Sequence, residues 1–472
     1  MGKLNLFVIA LLFLTLPLFF YKLGQSSLVS FDEAWYAEIS KNILKTNDLF
    51  NLYFNGKPYY DHPPAGFWLE ALTFKIFGVS EFGARFPQAA AGFLSLGLVY
   101  FLGKELFNRI VGFASALGLA SSFWFIFRAR SGNLDILLTF LFLLTLLLAV
   151  KAVKKKIYLT PLALSLSFLF LTKTLVPLTI IPVLIILLWG QKLRLKDLIK
   201  PGLIFLIIVG GWIVNGLIKQ PDFISRYLMI GLPGVNTQTD HSANFKQIKE
   251  YLHSGVGKWF WLGVASIAVG LILRQRRFFA LSAFFIIFFL PFIFSTRGNI
   301  WHLIPLYPVM ILSFFGFAHY LLGTFLKLTL SSLRKQGSIT GGYSLLIQWI
   351  PAFTGMTILI VSFYVSFIQI RQMWYQFIDI PKFVSDEAIL SKEAGKYPYE
   401  LILDEDFLPA AVFYSGKSAK IISRDEFIPY FENEESFLMI TKQERLDGSK
   451  ISKGKYQILK SDRDKILLLK LI

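Results

Sequence analysis

Long apolar runs alternate with short charged stretches along this chain, and that alternation predicts its elements before any single residue is weighed. Helical runs of roughly 18 or more residues almost free of charge are long enough to cross a hydrocarbon core about 30 Å thick. About eleven such segments can be placed, at 4–22, 86–103, 111–127, 134–150, 157–171, 174–190, 201–219, 258–273, 278–295, 302–323 and 345–370. The predicted fold class is therefore a polytopic α-helical membrane protein. The first run follows Lys3 with no obvious small-x-small cleavage site before the next polar loop, which predicts a retained helix rather than a signal peptide.

Two segments between the first and second runs have helical spacing but are too short to span. Glu33, Ala37, Ser40 and Leu44 mark one, and Ala65 to Phe77 the other. Both are expected to lie along the membrane interface as amphipathic helices. Pro63-Pro64 should set the start of the second, because a first-turn Pro loses no helical hydrogen bond. After Gln372 the pattern shifts to alternating strand-like and helix-like patches: Leu401–Leu403, Phe407–Tyr414, Ala419–Ile422, Asp425–Phe431, Phe437–Ile440 and Ile466–Leu469. These predict a membrane domain over 1–370, with a polar outer loop at 23–85, and a small soluble α/β domain over 371–472. The latter has mixed charges and no catalytic signature, so a structural or acceptor-positioning role is expected of it.

Composition agrees with the pattern. Of 472 residues, 55% are hydrophobic and 17% aromatic, and a mean hydropathy of +0.57 argues against a set of soluble domains. A formal charge of +18 could point to nucleic acid, but the excess Lys and Arg fall in short clusters between apolar runs rather than along one basic face. The absence of cysteine excludes disulfides, thiolate zinc sites and cysteine nucleophiles.

Charge then sets the topology. Lys104 and Arg109, the Lys151–Lys156 cluster, Lys192–Lys200, Arg274–Arg277, and Lys327 with Arg334 and Lys335 all fall in alternate loops, which the positive-inside rule makes cytoplasmic. The N-terminus is then cytoplasmic, and the polar loop, the segment 220–257 and the C-terminal domain lie outside. Residues 334–357 resemble peptides translated from dispersed bacterial repeat DNA, which points to a bacterial source and an insertion of little function.

The outer face collects the unusual chemistry. Asp32 and Glu33 open the polar loop, Asp61-His62 precede its double proline, and Asp135 begins the fourth run. Four cations, Arg128, Arg130, Lys173 and Arg297, lie on the side where the topology rule gives them no reason to be. Asp32 could be an ordinary helix N-cap, and each cation a lipid-headgroup anchor. An anionic, lipid-linked substrate explains the two sets together. Guanidinium groups bind phosphate through paired hydrogen bonds, they stabilise charge on a leaving phosphate, and a carboxylate opposite them can deprotonate a hydroxyl.

The ordered motifs carry a resemblance. Asp32-Glu33-x-x-Tyr36-Ala37, Gly56-Lys57-Pro58-Tyr59, His62-Pro63-Pro64-x-Gly66-x-Trp68-Leu69, Phe77-Gly78 and Ala84-Arg85-Phe86-Pro87 are followed by Arg128-x-Arg130-x-x-x-x-Asp135 and Arg297-x-x-x-x-His302-Leu303-x-Pro305-Leu306-Tyr307-Pro308. Over roughly residues 1 to 320 the set resembles the membrane glycosyltransferases related to dolichyl-phosphate-mannose protein mannosyltransferases and to aminoarabinose transferase. The resemblance implies a glycosyltransferase-C fold, a polyprenyl-phosphate-linked sugar donor and inverting transfer to a lipid, glycan or protein acceptor at the outer face. On it, Asp32 is the leading catalytic carboxylate, with Glu33 beside it supporting geometry or binding acceptor. Arg128, Arg130, Lys173, Arg297 and His62 would hold the donor phosphate, and Asp61, Asp135, Tyr36 and His302 would position substrate. In the aminoarabinose branch a Lys precedes the Pro-Pro pair. Here that residue is His62, so the resemblance by itself does not imply the aminoarabinose donor, and His62 is expected either as a neutral hydrogen-bonding ligand or as a partner of Asp61.

Direct displacement at an anomeric carbon further predicts that base and phosphate clamp occupy different sides of the cavity. No cofactor is required; a divalent metal bridging Asp32 and Asp61 is an alternative that lacks a spaced ligand motif. The rival class is a transporter or flippase for a lipid-linked anion. Against it, almost all the charges lie at span ends rather than at the bilayer midplane. A non-catalytic scaffold would leave the outer charges without a task.

Overall fold

The computed structural model describes residues 3–191, 193–220, 222–231, 241–273, 275–294, 300–335, 343–432 and 435–471. Its helices are, in chain order, α1 (Lys3–Phe20), α2 (Asp32–Thr46), α3 (Ala65–Phe77), α4 (Glu81–Leu106), α5 (Arg109–Ala120), α6 (Phe123–Ala129), α7 (Asp135–Lys154), α8 (Leu159–Phe170), α9 (Ile180–Leu188), α10 (Leu195–Phe205), α11 (Gly211–Lys219), α12 (Phe223–Gly231), α13 (His241–Val256), α14 (Phe260–Ile272), α15 (Arg276–Phe294), α16 (Leu306–Lys335) and α17 (Tyr343–Met373). Among the described residues seven helical stretches are long and apolar enough to cross a membrane, or eight if the bent pair α5–α6 is one span. The apolar stretch Ile9–Phe20 of α1 and the shorter apolar helices at Lys156–Phe170 and Val176–Leu188 occupy three of the other expected segments. Length and composition therefore support a multi-pass membrane protein.

The expected straight span at 111–127 is instead bent by 68° between Ala120 and Phe123. Two consecutive serines cause the break. Ser121 and Ser122 turn their hydroxyls back onto the Gly118 carbonyl, offering local hydrogen bonds that compete with helix continuation. The kink redirects α6, and with it Arg128, toward the polar loop.

The polar loop holds both expected helices, α2 and α3, with Pro64 at the position just before α3. Between them the chain makes an unexpected hairpin, β1 (Leu52–Phe54) against β2 (Lys57–Tyr59). Its turn is Asn55-Gly56, both at positive φ, the backbone that a two-residue hairpin of native twist requires. Asn-Gly between β-type residues was the available sequence signal. On α3, Leu69, Leu72, Ile76 and Phe77 are exposed while Phe67, Glu70, Ala71 and Phe74 are buried, leaving one apolar face uncovered.

The basic clusters meet at one end of the bundle. Lys154 pairs with Glu105 at 2.5 Å, Lys156 with Asp197 at 2.5 Å, and Arg277 donates to the Leu106 carbonyl. Asp135 and Glu81, at the N-terminal ends of α7 and α4, lie at the other end, beside the polar loop and the C-terminal domain. Residues 343–357 form the first half of α17, where Ile350 and Thr354 are buried, so they belong to a packed helix rather than looping out.

The C-terminal domain is built on a five-stranded mixed sheet. Its strands are β3 (Glu400–Leu403), β4 (Ala419–Ile421), β5 (Phe437–Lys442), β6 (Tyr456–Asp462) and β7 (Lys465–Lys470), in the spatial order β4-β3-β5-β7-β6. Helices α18 (Asp386–Ala394), α19 (Leu408–Ser415), α20 (Phe427–Glu432) and α21 (Gln443–Gly448) complete it. The even alternation of buried residues on β3 and β5 feeds two cores, one on each face of the sheet. This domain docks on the polar loop. Asn55 of the hairpin donates to the Ala419 carbonyl and accepts from the Ala419 N–H, in effect capping the exposed end of β4. Ala410 and Phe413 of α19 join Leu28, Ala34, Ala37, Phe74 and Ala84 in one apolar cluster.

Candidate active site

The site begins where α2 begins. Phe31 occupies the N-cap position and no side chain caps the helix, so Asp32 is a first-turn acid rather than a cap. Its charge lies at the positive end of the helix dipole, and Oδ2 stands 3.3 Å from Arg128 Nη2 with the side chain 37% exposed. It is the accessible carboxylate of the group.

Asp135, at the first position of α7, is the buried one, 1% exposed. Burying a carboxylate is costly unless its lone pairs are met by charged donors, and here three groups meet them. Oδ2 accepts from Arg128 Nη2 at 2.9 Å, while Oδ1 lies 2.5 Å from Lys173 Nζ and 2.9 Å from His302 Nδ1. His302 Nδ1 is also 2.7 Å from Lys173 Nζ, so when that nitrogen carries no proton it accepts a hydrogen bond from the lysine, and when protonated it donates to Asp135. Local structure aims these residues. Asn133 accepts from the Asp135 N–H and donates to the Arg128 carbonyl, tying the end of α6 to the start of α7. The indole of Trp301 lies under the Arg128 guanidinium at 5.6 Å. Asp32, Arg128, Asp135, Lys173 and His302 thus form one continuous network drawn from four separate parts of the chain.

Flanking it, Tyr36 is buried one turn along α2 from Asp32, and His62 packs edge-on against its ring at 5.8 Å. Burial lowers the His62 pKa to about 3, helped by the nearby Lys173 and His302, so the ring is neutral. A neutral imidazole can offer the phosphate a hydrogen bond but no charge. The Asp61 carboxyl has no hydrogen bond or ion pair among the described residues, and burial raises its pKa.

Three expected site residues need correction or lie out of view. Glu33 does not belong to this network. Arg85 grips it through Nε–Oε1 at 2.9 Å and Nη2–Oε2 at 2.8 Å, and the Val29 and Gly132 N–H groups donate to the remaining lone pairs. With every acceptor position used and 5% exposure, it holds geometry and is not free for catalysis or acceptor binding. Burial alone would raise its pKa; Arg85 and the two backbone donors more than offset that and hold it below the usual carboxylate range. Arg130 is not part of the network either. Its guanidinium donates to the Leu18 and Tyr21 carbonyls, closing the C-terminal end of α1. Arg297 lies outside the described residues.

The expected separation of base and clamp is also absent, since one Arg128 nitrogen contacts both Asp32 and Asp135. The residues that sequence reasoning left without a role are Arg85 and Trp301. Arg85 belongs to a quoted motif, and a lone cation beside an apolar run should have prompted a search for its carboxylate. Among the described residues no group of three or more His, Asp or Glu side chains converges as a metal site.

Comparison with known proteins places this geometry. Residues 61–214 match the family model described as dolichyl-phosphate-mannose-protein mannosyltransferase. The chain superposes on the crystal structure of ArnT from Cupriavidus metallidurans bound to undecaprenyl phosphate with a TM-score of 0.72, covering 99% of this chain and 98% of that one at 15% identity. The fold is that of ArnT. An oligosaccharyltransferase from Archaeoglobus fulgidus matches with a TM-score of 0.60 at 12% identity, over 92% of this chain and 69% of its own. In sequence, an undecaprenyl phosphate-alpha-4-amino-4-deoxy-L-arabinose arabinosyl transferase of Pseudomonas savastanoi is 42% identical over 106 residues, 22% of this chain and 20% of that relative. The matched segments span less than half the length of the curated relatives. The chain therefore resembles the mannosyltransferases and aminoarabinose transferases, as its motifs indicate, and has the glycosyltransferase-C fold.

Proposed function

We propose that this protein transfers a sugar, with inversion, from a polyprenyl-phosphate-linked donor to an acceptor at the outer face of the cytoplasmic membrane. The observation that carries the reading is an accessible carboxylate, Asp32, set 3.3 Å from a cation array that a buried carboxylate, Asp135, holds together. The ArnT-like fold around it supports a lipid phosphate as the array's ligand.

In this reading the donor phosphate enters between Arg128 and Lys173, with neutral His302 and His62 as hydrogen-bonding neighbours. Arg128 exchanges its longer contact, to Asp32, for the phosphate, and keeps the shorter one to Asp135. That exchange frees Asp32 and relaxes the need for base and clamp to start apart. Asp32 takes the proton of an acceptor hydroxyl, the oxygen attacks the anomeric carbon, and the bond to the phosphate oxygen breaks on the opposite face. The phosphate leaves with the electron pair, and the preorganised cations stabilise the charge. One displacement inverts the anomeric centre. An acceptor already anionic would need orientation more than a base.

The topology follows the same logic. The basic end of the bundle is cytoplasmic and the site end extracytoplasmic, with the apolar face of α3 on lipid. The experiment is transfer from a radiolabelled polyprenyl-phosphate sugar in reconstituted membranes. Asp32→Asn is expected to bind donor and fold but to lose transfer; unchanged turnover removes Asp32 from the mechanism.

A further inference from the structure

A cavity of about 430 Å³ opens beside the network, between the β1–β2 hairpin, α12 and the first turn of α19. Its walls include Trp35, Lys57, Tyr59, Tyr60, Asp61 and Arg226, and the size is that of a small-ligand site. Three features of these walls go together. The rings of Trp35, Tyr59 and Tyr60 give flat apolar surface. The Lys57 ammonium, a donor, has no hydrogen bond or ion pair among the described residues. The Asp61 carboxyl, an acceptor, is equally without a partner among the described residues.

A ligand that answers all three presents an apolar face to aromatic rings and a rim of hydroxyls to a donor and an acceptor. A pyranose ring does so. Charge at the cavity is of both signs: Arg226 pairs with Asp222 and lies over the Tyr60 ring at 5.8 Å, while Lys57 and Asp61 bring one cation and one carboxyl to the same walls. A neutral polyhydroxyl ligand answers such a pair. The cavity also adjoins the reacting groups, since His62, next to Asp61, packs on Tyr36, which lies one turn from Asp32.

We infer that this cavity is a saccharide subsite on the acceptor side, taking one sugar ring of a glycan whose neighbouring hydroxyl is presented to Asp32. The inference rests on the glycosyl-transfer reading above and adds the chemical class of the acceptor.

The test is saturation-transfer NMR on the full chain in lipid nanodiscs, with cellobiose and chitobiose as probes, alongside the transfer assay. Saturation is expected on ring C–H protons, with affinity reduced at least tenfold in Asp61→Asn and severalfold in Tyr60→Ala, which removes the stacking ring. Asp32→Asn, silent in transfer, should bind the probes as the wild type does. The thermal unfolding midpoint of each variant shows whether it is folded. The subsite is overturned by absence of signal from both probes on folded wild-type protein, or by unchanged affinity in both folded variants. Displacement of the probes by undecaprenyl phosphate also overturns it, because the cavity then belongs to the donor. Saccharide binding that persists in a chain inactive with every polyprenyl-phosphate sugar tested overturns the transfer reading instead, which separates the two failures.

Discussion

Removing the Glu33 carboxylate should unfold the polar loop before it alters any chemical step. In Glu33→Ala the Arg85 guanidinium loses both contacts of its bidentate pair but keeps the Leu23, Ser26 and Ser27 carbonyls. Breaking one side of a buried pair costs about 3–5 kcal/mol. The Val29 and Gly132 N–H groups are orphaned as well, at about 1–3 kcal/mol each where water does not reach them. Those terms overlap, and a net loss of about 4 kcal/mol is expected. The assay is thermal and denaturant unfolding of the detergent-solubilised protein, followed by tryptophan fluorescence, with limited proteolysis mapping the 23–85 loop.

The double variant Glu33→Leu with Arg85→Met should recover much of the loss, because no unpaired charge remains buried. The pH dependence has a definite sign. A carboxyl whose folded pKa is depressed contributes stability above its unfolded value, near the ordinary Glu pKa, and loses it as pH falls through the lower folded value. Wild-type stability should therefore fall as pH drops from the ordinary Glu pKa to the lower folded value, and Glu33→Ala should lack this component. If Glu33→Ala instead keeps wild-type unfolding while transfer collapses with donor still bound, the structural assignment is wrong and Glu33 belongs to the chemistry.

Other outcomes follow from the same geometry. Asp32→Asn should lower transfer by about 10²-fold or more, the range for loss of a general base, while donor photolabelling persists. Lys173→Met should weaken donor binding about tenfold to a hundredfold, the range for a charge-assisted hydrogen bond; Arg130→Ala, which touches only the end of α1, should leave donor KM unchanged, and a matched loss in both would return Arg130 to the clamp. His62→Gln should leave the pH–rate profile between pH 5 and 9 unshifted, because the ring with a pKa of about 3 is neutral throughout; disappearance of an ionisation from that profile would contradict this. Glu70 is buried against Ser40, and burial pushes its pKa well above the usual range. Its contribution is present below its ordinary pKa and is lost as pH rises through the folded value, so Glu70→Gln should raise the unfolding midpoint at neutral pH and flatten its decline toward alkaline pH.

The sequence by itself located most of the long apolar helices and picked out the carboxylates and cations that meet at one end of the bundle. These properties are additive along a chain. It also held the motifs whose order points to the fold. Only the tertiary structure decided direction. Asp32 and Glu33 are adjacent, yet successive helical residues point about 100° apart, so one faces the cation array and the other is sealed against Arg85. Arg128 and Arg130 divide in the same way between the site and the end of α1. Asp135 finds Lys173 and His302 at distances of 38 and 167 residues along the chain, pairings that depend on the kink at Ser121-Ser122 and on how α6 and α7 pack. Spacing along a sequence carries no record of such angles, because they are set by what each helix must bury against its neighbours.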